Sequence, residues 1–106
     1  MIRVKKNEDE YIFVVQSKTG RELLHSIPFT SKKEIQDTLK HLCESQPEAQ
    51  KIERRTNFDG KFLFDLKDTA GKTIGQSGLY GSEAGMENGI KNFQGSLAQV
   101  KDLPQL

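Results

Sequence analysis

Residues 62–77 read FLFDLKDTAGKTIGQS, a run of strand-forming residues followed by a turn and a second short run. Phe62, Phe64 and Leu66 occupy every second position, which is the spacing of a β-strand with one buried face. The turn ends in Gly71, a residue type that adopts a positive φ angle without steric cost. The pattern therefore predicts a β-hairpin whose returning strand begins directly after Gly71.

The same pattern occurs 51 positions earlier, where residues 11–26 read YIFVVQSKTGRELLHS. Without a gap, Gly20 falls on Gly71 and Ser26 falls on Ser77. A shared register of strand, turn and returning strand is the signature of an internal repeat. We therefore predict that the chain contains two copies of one structural unit.

An amphipathic helix is predicted after each hairpin. Ser31 and Glu34 have the spacing of a capping box, and Ser82 is the equivalent N-cap of the second helix. We expect the first helix to end near Gln46-Pro47 and the second to stop at Gly95. The apolar stripes of the two helices coincide in the same register: Ile35, Leu39 and Leu42 match Met86, Ile90 and Phe93.

Three further strands complete the predicted architecture. Ile2–Lys6 opens the first copy, Ala49–Arg54 opens the second, and Ala98–Leu103 forms a short closing strand. Short connections imply antiparallel pairing, with both helices on one face of one sheet, so the predicted class is α+β. The two tandem ββ(β)α units cover about residues 1–48 and 49–103 of a single domain, residues 1–106.

The predicted architecture also bears on oligomeric state. Fusing two units makes their pairing intramolecular, at an effective concentration of about millimolar for a short connection. Charged side chains on an outer strand discourage edge-to-edge association. We therefore expect a monomer with an internal pseudo-dimer, and the charged residues in question are Lys5, Lys6, Lys51, Arg54 and Arg55.

The charge balance bears on the class of partner. Lysine and arginine total 16 and aspartate and glutamate total 15, so the net charge is +1. Nucleic-acid-binding proteins usually carry a basic bias, which this composition lacks. No apolar run has the length of a signal-peptide core or of a membrane span. We expect a cytoplasmic protein with no membrane partner, and the composition argues against nucleic acid.

Few residues have the chemistry of a metal or catalytic site. His25, His41 and Cys43 are the soft metal-ligand candidates, whereas structural zinc normally needs four ligands. The serines lie in no nucleophile elbow. We predict no catalytic, metal-binding or cofactor-binding residues and a non-enzymatic binding or structural module with an unknown partner. Weak nucleic-acid association is the alternative function, followed by a small hydrolytic enzyme.

Gly81, Gly85 and Gly89 are unusual because two of them lie inside a predicted helix, where glycine costs about 1 kcal/mol relative to alanine. One explanation is close packing of the helix within the protein. The other is a small-residue surface that lets another molecule approach. The sequence leaves both explanations open.

Residues 59–77 read DGKFLFDLKDTAGKTIGQS and are followed by Tyr80, Ser82, Gly89-Ile90 and Val100-Lys101-Asp102. This combination resembles the YegP-like family of small uncharacterised bacterial proteins. The resemblance covers nearly the whole chain and is most specific after residue 58. It implies that strands of two units share one sheet, and it implies no catalytic residues, because none are established for the family.

Overall fold

The computed structural model describes residues 1–44 and 50–100, which form one antiparallel sheet of six strands and two helices. The fold class is α+β, as predicted. The elements in chain order are β1 (Ile2–Asn7), β2 (Glu10–Gln16), β3 (Glu22–Ser26), α1 (Lys32–Glu44), β4 (Lys51–Thr56), β5 (Phe62–Lys67), β6 (Thr73–Gln76) and α2 (Glu83–Ala98).

The strand order is β1-β2-β3-β6-β5-β4, so each half of the chain contributes a three-stranded meander. The halves join where β3 pairs with β6, through His25 opposite Gln76 and Ser26 opposite Gly75. The amide of Ile27 extends this seam by donating to a carbonyl of β6 at 3.0 Å. The charged strands β1 and β4 are the two edges of the sheet.

Both helices pack on the same face of the sheet, over a single hydrophobic core. Burial of both predicted helix stripes is confirmed. Neither helix in the described part of the chain is long and apolar enough to cross a membrane. The central members of the core are Phe13 and Val15 of β2, Phe64 and Leu66 of β5, Ile35, Leu39 and Leu42 of α1, and Met86, Ile90 and Phe93 of α2.

The two hairpin turns have nearly identical geometry. Gly20 has a φ angle of 88° and Gly71 one of 87°, as their place in the turn requires. The Gly20 amide donates to the Ser17 carbonyl at 3.0 Å, and the Gly71 amide donates to the Asp68 carbonyl at 3.1 Å. The predicted turns are therefore present in both halves of the chain.

A buried serine performs the same task in each half. The Ser26 hydroxyl accepts a hydrogen bond from the Phe13 amide, and the Ser77 hydroxyl accepts one from the Phe64 amide, both at 2.9 Å. Each hydroxyl donates in turn to the carbonyl of the following residue at 2.8 Å. An unpaired buried amide or hydroxyl is costly, so these serines satisfy backbone groups that the strand pairing leaves open.

The end of α2 differs from the prediction. The helix continues through Gly95 to Ala98, and Gln99 is its C-cap. The predicted closing strand therefore does not begin at Ala98, and its remaining part, residues 101–103, lies outside the described residues. The physical reason is Leu97, which is 3% exposed and extends the buried stripe by one more turn.

Both helices begin at the predicted N-cap serines, and β4 begins near its predicted start. The Ser31 hydroxyl accepts from the Glu34 amide at 3.3 Å, which confirms the serine cap of α1. The Ser82 hydroxyl accepts from the Gly85 amide at 3.0 Å and confirms the cap of α2. Strand β4 starts at Lys51. The predicted helix end at residues 46–47 and the predicted strand start at residue 49 lie outside the described residues.

Candidate functional site

A cavity of about 280 Å³ lies between α1 and the β5–β6 hairpin. Its volume is close to the lower end of the range for small-molecule sites, roughly 300–1,000 Å³. The surroundings combine an apolar floor with a rim of polar and charged side chains. The floor consists of Ile27, Phe29, Leu42, Leu66 and Ile74.

One wall of the cavity, the helix wall, consists of Glu34, Asp37, Thr38 and His41 of α1. Spacings of three and four residues place these side chains on one side of the helix, next to its buried stripe. The Thr38 hydroxyl donates to the Glu34 carbonyl at 2.8 Å within the helix. One side of α1 thus contributes carboxylates to the rim of the cavity, and the adjacent stripe of the same helix contributes apolar side chains to the core.

The opposite wall, the hairpin wall, consists of Asp68, Thr69 and Lys72 at the β5–β6 turn. One oxygen of Asp68 accepts from the amides of Ala70 and Lys72, both at 2.9 Å. The Lys51 ammonium, from the neighbouring edge strand, donates to the Thr69 carbonyl at 3.1 Å. These bonds stabilise the conformation of the turn and thereby of the hairpin wall.

The second half of the chain has a different surface at the equivalent place. There, between α2 and the β2–β3 hairpin, lies a more open depression of about 390 Å³. The guanidinium of Arg21 lies over the Tyr80 ring, 5.5 Å from its centroid, and Tyr80 is not part of the lining. Lys72 and Phe29 are the equivalent residues of the cavity, and both line it. The surfaces at these two places therefore differ in shape and in lining residues.

The soft-ligand candidates from the sequence do not come together. His25 lies on β3 with its Nδ1 3.9 Å from Glu22 Oε2, whereas His41 lines the cavity. Cys43 is partly buried and packs against the core. Burial raises the pKa of the Cys43 thiol, and the charge of Glu44 adds to this effect. Across residues 1–44 and 50–100, no group of three or more His, Cys, Asp or Glu side chains could hold a metal ion.

The helix glycines have different surroundings. A methyl group on Gly89 would collide with the hydroxyl of Tyr80 and lie 2.5 Å from its Cζ. A methyl group on Gly85 would lie 3.1 Å from the Ser82 hydroxyl, and one on Gly81 would meet nothing within 4 Å. At Gly89, close packing within the protein is therefore the explanation.

Several basic groups of the sheet are neutralised by carboxylates. Arg55 Nε lies 3.0 Å from Asp65 Oδ2, and Asp65 is 3% exposed. Arg54 forms a two-bond ion pair with Glu87, whose second bond, from Nη2 to Oε2, measures 3.1 Å. Hydrogen bonding to Arg54 lowers the pKa of the Glu87 carboxyl. These pairs reduce the positive charge that β4 would offer to nucleic acid.

Four aromatic side chains belong to the core. Phe13, Phe29, Phe64 and Tyr80 are buried, and the rings form two equivalent stacked pairs. The Phe13–Phe29 centroids are 6.3 Å apart and the Phe64–Tyr80 centroids 6.4 Å apart. These four rings therefore pack inside the protein and are not available for stacking with nucleic-acid bases.

The cavity was not predicted from the sequence. The available signal was the spacing of Glu34, Asp37 and His41, which places three ionisable groups on one side of α1. That signal alone is ambiguous, since charged residues normally cover the solvent face of an amphipathic helix. The opposite wall comes from the other half of the chain, and only the fold brings the two together.

Comparison with known proteins places the chain among relatives without an assigned function. Residues 58–101 match the family model described as a domain of unknown function, DUF1508. The UPF0339 protein YegP of Escherichia coli K12 is 29% identical over 100 residues, which are 92% of this chain and 91% of that protein. A UPF0339 protein of Bordetella pertussis is 29% identical over 104 residues, 96% of this chain and 94% of that one.

The structural comparison agrees with the sequence comparison. The solution structure of the E. coli protein of unknown function yegP superposes with a TM-score of 0.83 and 26% sequence identity. The match covers 92% of this chain and 85% of that one. The sequence and structure comparisons together confirm that the chain is similar to the YegP-like proteins, which are uncharacterised bacterial proteins.

Proposed function

We propose that this protein is a non-enzymatic binding module that holds a small molecule in the cavity between α1 and the β5–β6 hairpin. The observation that carries the proposal is the combination of an apolar floor with charged walls on two rigid elements. Sites built on helices and strands hold their geometry better than sites on loops. The cavity is thus pre-organised on both sides.

The lining of the cavity suits a binding role, because an apolar floor lies next to walls that carry carboxylates, ammonium groups and a threonine hydroxyl. The walls themselves are built from side chains suited to charge recognition and hydrogen bonding.

The test is a fragment screen followed by amide chemical-shift mapping. Fragments that bind should shift amides of the helix wall and the hairpin wall together. The variant Thr38→Phe fills the cavity from α1 and should abolish these shifts. Asn92→Phe is the matched control, because it adds the same ring to α2 beside the depression of the other half. Shifts that survive in Thr38→Phe, or that map elsewhere, would contradict the proposal.

We also propose that the chain arose by fusion of two copies of one unit and that it is a monomer. Support comes from the equivalent turns at Gly20 and Gly71, and from the equivalent serine bonds of Ser26 and Ser77. The pairing of β3 with β6 completes the sheet within one chain. A single unit would leave β3 or β6 as an unpaired edge, which another chain would extend.

A further inference from the structure

The rim of the cavity carries balanced charge. Among the described residues that line it, three are carboxylates and three carry an ammonium group. A site with this balance does not favour a strongly anionic or a strongly cationic ligand, because each added charge meets both signs. The six residues are Glu34, Asp37, Asp68, Lys51, Lys67 and Lys72.

Three of these six groups are already engaged within the protein. The Asp68 carboxylate accepts two backbone amides, and the Lys51 ammonium donates to a turn carbonyl. The Lys67 ammonium donates to the Thr73 hydroxyl at 2.7 Å and lies 3.1 Å from Glu53 Oε2. These three groups stabilise the hairpin and its neighbouring strand.

The remaining three groups stand on opposite walls. Glu34 and Asp37 belong to the helix wall and Lys72 to the hairpin wall. Within residues 1–44 and 50–100, none of their charged groups forms a hydrogen bond or an ion pair. Negative charge on the helix wall and positive charge on the hairpin wall thus line the same cavity, together with its apolar floor.

Neither carboxylate is repeated in the second helix. Gly85 and Asn88 occupy the equivalent positions of α2, 51 residues later, and that helix has the same place in its own half without them. The two carboxylates of the helix wall are therefore particular to α1.

Building on the proposed binding function, we propose that the ligand is a small zwitterion with an apolar body, an amino acid or a short peptide. Its ammonium group faces Glu34 and Asp37, its carboxylate faces Lys72, and its apolar side chains lie on the floor beside Phe29 and Leu66. Opposite charges at matched positions give orientation, and the floor supplies burial. A cavity of about 280 Å³ suits a ligand of this size.

Calorimetric titration with the dipeptide Leu-Leu, its N-acetylated form and its C-amidated form tests the inference. The free dipeptide should bind at least about tenfold more tightly than either blocked form, since each end group contributes one charge-assisted contact. Lys72→Gln should weaken the free dipeptide but leave the C-amidated form unchanged. Asp37→Asn should weaken the free dipeptide and leave the N-acetylated form unchanged.

Lys40→Gln is the matched control, because Lys40 is an exposed residue of α1 outside the cavity lining. This variant should bind the free dipeptide as tightly as the unaltered protein does. Equal affinity for the free and the blocked dipeptides would overturn the proposal that the ligand is a zwitterion. The absence of binding by Leu, Leu-Leu and Phe-Phe at millimolar concentration would overturn it as well. The cavity-binding function would survive either result if fragment shifts still map to the two walls and disappear in Thr38→Phe.

Discussion

Leu24 on β3 packs over Gly75 on β6, where the two halves of the sheet are hydrogen-bonded to each other. A methyl group on Gly75 would lie 2.7 Å from Leu24 Cδ2 and 3.2 Å from the carbonyl oxygen of His25. The two residues are equivalent in the 51-residue register. The junction between β3 and β6 has room for one large side chain at this place. For this reason one of the two equivalent positions holds leucine and the other holds glycine.

Gly75→Ala should destabilise the protein by about 1–3 kcal/mol, the usual cost of overpacking a well-filled site. Leu24→Ala should also destabilise it, because Leu24 is fully buried. The double variant should lose less stability than the sum, by about 0.5–3 kcal/mol, since the shortened residue 24 makes room for the new methyl group. Urea denaturation of the four proteins measures this coupling, and strictly additive losses would refute the contact.

Gly20→Val and Gly71→Val should each lower the free energy of unfolding by more than about 1 kcal/mol. The φ angles are 88° and 87°, and an added Cβ meets nothing within 4 Å, so the cost is backbone strain alone. Gly78→Val is the control, because its Cβ is equally unobstructed and its φ angle is not positive. If the three variants denature at the same urea concentration, the turn assignment is wrong.

Two glycines of α2 should respond in opposite directions to alanine. Gly95→Ala should stabilise the protein by up to about 1 kcal/mol, since its Cβ meets nothing within 4 Å and alanine favours the helix. Gly89→Ala should destabilise it, because the methyl group collides with Tyr80. Tyr80→Phe should relieve only part of that loss, since the ring carbon Cζ remains too close. Thermal melts of the single and double variants decide the signs.

The Arg54–Glu87 pair should make stability depend on pH. Hydrogen bonding to Arg54 lowers the pKa of Glu87 in the folded protein. Its contribution is therefore present above the pKa of an unfolded glutamate, about 4.3, and is lost as the pH falls through the lower folded value. Glu87→Gln should be less stable than the parent at neutral pH, and the difference should shrink toward about pH 3. A difference that is constant over this range would contradict the pair.

Sedimentation over a range of concentrations should give the mass of one 12.0 kDa chain at micromolar concentration. The reason is that β3 and β6 pair within the chain, so that among the strands of residues 1–44 and 50–100 the charged strands β1 and β4 are the edges. Lysine and arginine on an edge strand oppose further pairing. A stable dimer at the lowest concentration would mean that the sheet extends between chains.

Local pattern was enough to predict much of this fold. The alternation in residues 11–26 and 62–77, the glycines at 20 and 71 and the two apolar helix stripes all report interactions within a few residues along the chain. Turn angle, strand face and helix face follow from such short-range sterics and periodicity. For this reason the hairpins, the caps at Ser31 and Ser82 and most of the core were predictable.

The local pattern could not predict interactions between residues that are far apart along the chain. The pairing of β3 with β6 and the packing of Leu24 on Gly75 join positions about 50 residues apart, where periodicity carries no information. The true end of α2 depends on the burial of Leu97, which the core decides. The cavity also depends on residues that are far apart along the chain, because Glu34 and Lys72 line it together only after α1 has packed beside the hairpin of the other half. Local sterics shape each element, but the seam, the helix end and the candidate site depend on which surfaces the whole chain brings into contact.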